Sequence, residues 1–280
     1  MNVDQLKNLL RNYNLKPNFT YGQNFLIDDI ALQDIVDAAE VSSEDAVLEI
    51  GPGIGNLTKY LLDRAGLVLS IEKDPKFFPL LRSIKKDHKQ NFWFEISDAL
   101  DFNFQKFFQE RGFKSYKVVA NIPYYITGKI LQMLMTAEFK PTSVVVLTQK
   151  EVAINVTAGV GDLSLLAISV QLHGEPSLSM KVPARSFYPS PKVDSAVLKI
   201  NLFQKPKYHV EDEKKFFKIL RACFAGKRKQ IHNTLVNNLK LEKDEVTKIL
   251  SKVKINPAAR PQELSIEQWI ELSKLITNNL

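Results

Sequence analysis

Four positions in the first half of the chain carry groups suited to holding a polar ligand, each at the end of an apolar run. Gly51 follows "AVLEI" and opens "GPGIGN", Glu72 closes "GLVLSIE", Asp98 follows "NFWFEIS", and Asn121 follows "SYKVVA". Gly51, Gly53 and Gly55 allow backbone to pass close to a ligand, at a helix start that favours negative or polar groups. Glu72 lies 72 − 51 = 21 residues past the first glycine, the place where a carboxylate accepts both hydroxyls of a ribose. Asp98 at the same edge is an acceptor for an adenine amino group. Singly, Glu72 or Asp98 reads equally as a helix cap or a solvated acid. In this order and spacing the set describes a site for a nucleoside-containing cofactor. The loop is G-x-G-x-G, with Asn56 where a dinucleotide loop, G-x-G-x-x-G, has its third glycine. The pyrophosphate signature is missing, which points to S-adenosylmethionine rather than NAD.

The elements that must position these groups alternate. "AVLEIGPG", "GLVLSIEKD", "QNFWFEISDAL", "SYKVVANIP" and "TSVVVLTQ" are strand-like, with helix-length stretches such as "NLTKYLLDRA" between them. That alternation predicts an α/β fold, a parallel sheet with helices on both faces. Ligands bind such sheets beyond the carboxyl ends of the strands, where strand order switches. "AVLKINLF" (196–203) is a late strand, with "SLSMKVPA" a possible hairpin partner, and "QKPKYH" reads as a linker. The pattern after it is helical. The expected division is a catalytic domain over 1–206 and a small all-α domain over 207–280.

The chain has 280 residues, 45% of them hydrophobic, ample for a large core. Its net charge is +7, and residues 207–280 hold 15 Lys+Arg against 9 Asp+Glu, a net of +6. Positive charge gathered in the last quarter suggests a polyanionic partner. The single cysteine, Cys223, excludes an internal disulfide and fits a reducing compartment. No run of about 18 apolar residues exists to span a membrane, and the N-terminus lacks signal-peptide and transit-peptide character. The expectation is a cytoplasmic protein. His88, His173, His209 and His232 are scattered without ligand spacing, so no metal is expected.

Asn121-Ile122-Pro123-Tyr124 resembles the N-x-P-Y signature of methyltransferases that act on exocyclic amino nitrogens. The chemistry explains the residue types. An adenine amino lone pair is delocalised into the ring and is a poor nucleophile. Acceptors on both N–H bonds favour the pyramidal geometry needed for attack; the Asn121 side-chain oxygen supplies one and the Ile122 carbonyl the other. Pro123 stiffens that carbonyl by fixing its own φ and restricting Ile122. Tyr124 offers a face on which the target base can stack. The competing interpretation is a strand-terminating turn with two surface tyrosines.

Beyond this site, "YGQNFLID" (21–28), "VLEIGPGIGNLT" (47–58), "IEKD" (71–74), "SDAL" (97–100), "NIPYYITGKIL" (121–131), "QKEVA" (149–153), "FYPSPKVDSAVLKI" (187–200) and "RPQELSIEQW" (260–269) resemble the KsgA family of small-subunit rRNA adenine dimethyltransferases along nearly the whole chain. The resemblance implies a Rossmann-like class I methyltransferase sheet with a C-terminal helical domain. It implies that S-adenosylmethionine contacts Asn24, Leu26, Gly51, Glu72, Asp98 and Asn121, with Gly53 in the same loop. It also makes Phe187 an aromatic partner on the second face of the base. The implied substrate is two adjacent adenosines in the 3′-terminal hairpin loop of small-subunit rRNA, each dimethylated at N6. The implied partner is the pre-small ribosomal subunit, met by a monomer. The dense cluster Lys227, Arg228 and Lys229 is expected to meet rRNA phosphates. Read on its own, "GQNFLIDD" is a loop entering a helix, with Asp28 or Asp29 as N-cap.

The chain departs from the family in "INVTAGVGDLSLL", which is shorter and lacks the usual arginine and tyrosine, and in "FAGKRK", which replaces a more arginine-rich version. Erm-type large-subunit rRNA methyltransferases share the cofactor and amine motifs. The helical tail and "RPQELSIEQW" favour the small-subunit enzyme. A catalytically silent RNA-binding assembly or transcription factor on this fold would have no need of an amine-polarising pair.

Overall fold

In the computed structural model, which describes residues 1–226 and 228–276, the chain opens with α1 (Val3–Asn12), β1 (Phe25–Leu26) and α2 (Asp29–Ala38). It then alternates β2 (Ala46–Ile50), α3 (Asn56–Leu62), β3 (Leu67–Glu72), α4 (Phe78–Asp87), β4 (Phe92–Ile96), α5 (Phe104–Glu110), β5 (Lys117–Asn121), α6 (Thr127–Met135) and β6 (Ser143–Gln149). Next come α7 (Lys150–Val156), α8 (Leu165–Gln171), β7 (Gly174–Val182), β8 (Phe187–Tyr188) and β9 (Ser195–Leu202). Helices α9 (Glu213–Phe224), α10 (Ile231–Leu239), α11 (Lys243–Lys252) and α12 (Ile266–Leu275) follow.

The main sheet has the order β4-β3-β2-β5-β6-β9-β7. Strands β4 through β6 in that order are parallel, and β9 runs antiparallel to β6. From β2 the chain moves outward through β3 and β4, then returns to place β5 on the other side of β2. The crevice of a doubly wound sheet therefore lies between the carboxyl ends of β2 and β5. Every residue of β2 and β3 is buried, as strands covered on both faces require. Val47, Val68, Val119, Val145 and Val197 share a core with the apolar stripes of α1 to α4. Leu48, Leu69, Val118, Ala120, Val144 and Val146 alternate with them and are equally buried, so the opposite face is covered too.

Local chemistry sets the element ends. Asp28, one of the two expected caps, accepts from the N–H groups of Ile30 and Ala31 at the start of α2. The segment before it, expected as a loop, contains β1, which pairs antiparallel with β8 in a separate two-stranded sheet, Leu26 opposite Phe187. Asn56, standing in place of a third glycine, donates from Nδ2 to the Leu26 carbonyl at 2.9 Å and so ties the glycine loop to β1.

The chain forms two compact units, Met1–Ala153 with Glu175–Leu202, and Ile154–Gly174 with Phe203–Leu280. The helical unit thus takes in 154–174, which the expected division at residue 206 left with the sheet. The reason is apolar: Leu163, Ala167, Ile168 and Leu172 are buried in one cluster with Phe216, Ile219, Leu220 and Trp269. Asp212 caps α9, and a Ser265–Gln268 capping box starts α12. Among the described residues no helix is long and apolar enough to cross a membrane.

Candidate active site

One cleft at the carboxyl ends of β2 to β5 is lined by Asn24, Leu26, Gly51, Gly53, Glu72, Asp98 and Asn121, together with Ile122, Pro123 and Tyr124. All ten belong to the unit built on the main sheet. Their convergence follows from topology, since four of the positions end four successive strands.

The glycine loop turns with positive φ at Gly51 (73°), Gly53 (53°) and Gly55 (75°), a conformation that penalises other residues. A Cβ on Gly51 would stand 3.7 Å from the Asn121 carbonyl, in the gap between the tips of β2 and β5. The loop also orients the first acid. Gly53 N–H donates to Glu72 Oε2 at 3.0 Å, and Asp74 N–H donates to Oε1 at 2.8 Å. Each oxygen keeps lone-pair capacity for a further donor. Burial pushes the Glu72 carboxyl above its ordinary range, against the pull of these two N–H groups. Hydroxyl donors from a ribose would complete its hydrogen bonding without adding charge.

Asp98 has a different setting. Lys73 Nζ lies 2.7 Å from Oδ2 and Leu100 N–H 3.0 Å from Oδ1. The Lys73 ammonium, first, and the Leu100 amide hold this carboxyl below the usual range, so it is an ionised acceptor at neutral pH.

At the tip of β5, Asn121 Nδ2 donates to the Asn24 carbonyl at 3.3 Å. This bond fixes the side-chain amide and leaves its acceptor, Oδ1, on the opposite side of the amide. The Ile122 side chain is buried, and its N–H reaches the Leu147 carbonyl at 3.3 Å. Pro123 has φ −54° and ψ 130°, after which Tyr124–Ile126 form a short 3-10 turn into α6. The Tyr124 hydroxyl is 2.7 Å from Ser195 Oγ at the start of β9, and burial raises its phenol.

The N-terminal segment closes over this edge. Gly22, at φ 62°, lies against Pro123 and Tyr125, where an added Cβ would be 3.4 Å from Pro123 Cβ. Asn18 N–H donates to Gln23 Oε1 at 2.8 Å, and Gln23 Nε2 donates to Asp74 Oδ2 at 3.0 Å. This strap leads to the Asp74 amide that holds Glu72.

Phe187, expected as a stacking partner for the base, is not among the residues that line this cleft. It is 3% exposed and packed in the core cluster with Phe25 and Leu26. In the β1–β8 register it stands opposite Leu26. Arg228 and Lys229 are exposed in the turn between α9 and α10, while Lys227 lies outside the described residues.

Several lining residues had no signal of their own. Gln23 and Lys73 sit inside motifs read for their neighbours, and a lone lysine reads as a solvated surface group. Glu49 in β2 also lines the cleft. It is 1% exposed, and its Oε2 accepts from Thr58 Oγ1 at 2.7 Å and Ser70 Oγ at 2.6 Å. Its Oε1 is buried with no hydrogen-bond partner among the described residues.

The donor set fits S-adenosylmethionine: a backbone cradle that a Cβ would fill, a buried acid needing hydroxyl donors, and an ionised acid beyond it. Fold and cleft together define a class I methyltransferase. The ribosomal RNA adenine dimethylase profile matches residues 14–278, and the chain belongs to that family. Among curated relatives, the ribosomal RNA small subunit methyltransferase A of Dehalococcoides mccartyi is 41% identical over 268 residues, 96% of this chain and 91% of the relative. That of Clostridium botulinum is 39% identical over 272 residues, covering 96% and 98%. Among solved structures, a dimethyladenosine transferase from Plasmodium falciparum superposes with a TM-score of 0.75 at 26% identity, covering 89% of this chain and 95% of that one. The 23S rRNA methyltransferase ErmE gives 0.70 at 28%, covering 91% and 100%.

Proposed function

We propose that this chain transfers methyl groups from S-adenosylmethionine to N6 of two adjacent adenosines in the 3′-terminal hairpin loop of small-subunit rRNA, dimethylating each during assembly of the small ribosomal subunit. The observation that carries the chemistry is the Asn121 amide, pinned through Nδ2 to the Asn24 carbonyl at the edge of a cleft lined by Glu72 and Asp98. Family membership and the small-subunit relatives support the substrate class.

When bound, S-adenosylmethionine supplies an electrophilic methyl on a sulfonium sulfur. Glu72 accepts the ribose hydroxyls, Asp98 accepts the adenine amino group, and the loop at Gly51 and Gly53 admits the cofactor backbone. Asn24 and Leu26 contribute backbone to the same wall. Asn121 Oδ1 and the Ile122 carbonyl accept the two N–H bonds of the target amine and direct its lone pair outward. Pro123 keeps that carbonyl in place, and Tyr124 stacks on the base. No strong general base is required, because the methylated amine is cationic and gives its proton to water. Positioning and preset acceptors supply the rate enhancement. Loop bases suit the site because an unpaired base is cheaper to extrude.

Arg228 and Lys229, with neighbouring Lys227, contact rRNA phosphates and set salt dependence rather than base identity. Residues 207–280 serve as the rRNA-docking part of a monomeric, cytoplasmic enzyme that meets the pre-small subunit. The test is transfer of tritiated methyl to undermethylated small subunits and, in parallel, to large-subunit rRNA. Label on small-subunit RNA is expected. Label on large-subunit RNA alone would favour an Erm-type activity, and label on neither would favour a silent RNA-binding factor.

A further inference from the structure

The adenine-facing acid is gripped by a neighbour that the proposed chemistry does not use. Lys73 Nζ lies 2.7 Å from Asp98 Oδ2, while Leu100 N–H occupies Oδ1 at 3.0 Å. A carboxylate offers about four lone-pair directions, so two remain for a ligand. The place of the lysine is set by the sheet. Residue 73 directly follows Glu72, and Ser97 N–H donates to the Glu72 carbonyl at 2.8 Å, which brings residues 73 and 98 to facing strand ends. The four-carbon stem of Lys73 therefore runs from the ribose acid to the adenine acid along the cleft it lines.

The pair is unequal in exposure. The Lys73 side chain is 53% exposed and that of Asp98 26%. A surface ion pair of this kind contributes little to folding, so its consequence is local. It selects one rotamer of a short acid at the mouth of a ligand site. We propose that Lys73 is a positioning residue for the adenine end of the cofactor: its ammonium holds the Asp98 carboxylate so that the remaining lone pairs meet the exocyclic amino group. This deepens the assignment of Asp98 above and rests on it. The aliphatic stem beneath the ammonium gives the adenine plane an apolar wall.

Other groups face the pair. Lys129 on α6 is a second cation within electrostatic reach of Asp98, and Tyr21 and Tyr125 flank Lys73. A phenol cannot supply the positive charge of a lost ammonium, and among the described residues Lys129 makes no hydrogen bond to Asp98.

The experiment is calorimetric titration of the full chain with S-adenosylhomocysteine, comparing Lys73→Met, Lys73→Arg, Asp98→Asn and the double variant Lys73→Met with Asp98→Asn. Lys73→Met keeps the stem and removes the charge, and is expected to weaken binding about fivefold, the scale of one well-placed charge pair. Lys73→Arg restores most of the affinity. In the Asp98→Asn background Lys73→Met has no further effect, because the lysine acts through that acid. On acidification below about pH 5, toward the ordinary carboxylate range, Lys73→Met loses affinity at a higher pH than the parent, since Asp98 protonates more readily without the ammonium. Parent-like affinity in Lys73→Met, or a loss that persists beside Asp98→Asn, overturns the role of Lys73. Parent-like affinity in Asp98→Asn alone refutes the assignment of Asp98 instead.

Discussion

Replacing Glu49 with Gln should flatten the pH dependence of stability of the sheet unit. Glu49 sits in the middle of the sheet, its Oε2 taken by Thr58 and Ser70 and its Oε1 without a partner among the described residues. Burial pushes its carboxyl from 4.5 up to about 7, the two hydroxyl donors opposing the shift and nearby Glu72 adding to it. This is the reverse of the usual paired carboxylate. Below about pH 4.5 the folded and unfolded states both hold the proton, and Glu49 contributes no slope. Between there and about pH 7 the unfolded chain has released the proton and the folded chain keeps it, so stability falls as pH rises. Above about pH 7 both states are ionised, and the folded protein stays destabilised by a constant amount. A shift of about 2.5 units at 1.36 kcal/mol each gives about 3 kcal/mol.

Glu49→Gln keeps an acceptor for Thr58 and Ser70 and removes the titration. The assay is urea unfolding of parent and variant at intervals between about pH 4.5 and pH 8, followed by far-UV circular dichroism. Relative to the parent, the variant should gain about 3 kcal/mol across that interval, whatever its absolute stability at either end. Glu72 titrates in both proteins and largely cancels in the difference. Two parallel stability curves would show that Glu49 is ionised throughout, and the burial argument would fail.

Asn121→Ala removes one of the two acceptors on the target amine and should lower methyl transfer about 100- to 1,000-fold with S-adenosylhomocysteine affinity little changed, by analogy with removal of one preset oxyanion donor; single-turnover kinetics with loaded cofactor checks this. Tyr124→Ala should weaken binding of the target base while the melting temperature and cofactor affinity stay near those of the parent, read with a 2-aminopurine-substituted hairpin. Phe187→Ala should behave differently: a fully buried ring is lost from the core, and stability falls by about 3–5 kcal/mol, visible as an early melt before any kinetic effect is measured. Gly51→Ala should fold with a penalty of about 1–2 kcal/mol for its positive φ, yet lose cofactor binding far more severely, because the new methyl group stands in the gap between β2 and β5; calorimetry against a thermal melt separates the two effects.

The legible parts of the molecule are those where one residue type answers one local need. Strand ends at Glu72 and Asn121, the glycine loop, and the Asp28 cap could be read because each follows from spacing and backbone chemistry. The cleft was legible for the same reason: parallel strands joined by helices bring their carboxyl ends to one edge. What escaped depended on contacts distant along the chain. β1 has only two residues, and its existence rests on pairing with β8 some 160 positions later; no periodicity shows in so short a run. The membership of 154–174 in the helical unit rests on which core its leucines enter. The burial of Phe187 likewise depends on the core it shares with Phe25 and Leu26, far away along the chain. Ser195, which holds the Tyr124 hydroxyl, is one small polar residue at a strand start and carries no signal of its own.

The acids of the cleft divide along a physical line that the proposed chemistry needs. Asp98 is stabilised in its charged form by a cation and a backbone amide, and remains open to solvent on one side. Glu72 and Glu49 are pushed the other way by burial. A cofactor carrying a positive sulfonium is drawn to a region of accumulated negative potential, but a fully ionised trio of acids this close would be costly to fold. Raising two of the three limits the charge present in the site before the cofactor binds. It also leaves the buried acids able to respond when a cation enters, because a nearby positive charge lowers a carboxyl's proton affinity. Cofactor binding should therefore release protons from the protein near pH 7, where Glu49 is half ionised. Calorimetric titration with S-adenosylmethionine in buffers of different ionisation enthalpy measures that release directly. The signal should shrink in Glu49→Gln, and an unchanged buffer dependence in that variant would remove Glu49 from the account.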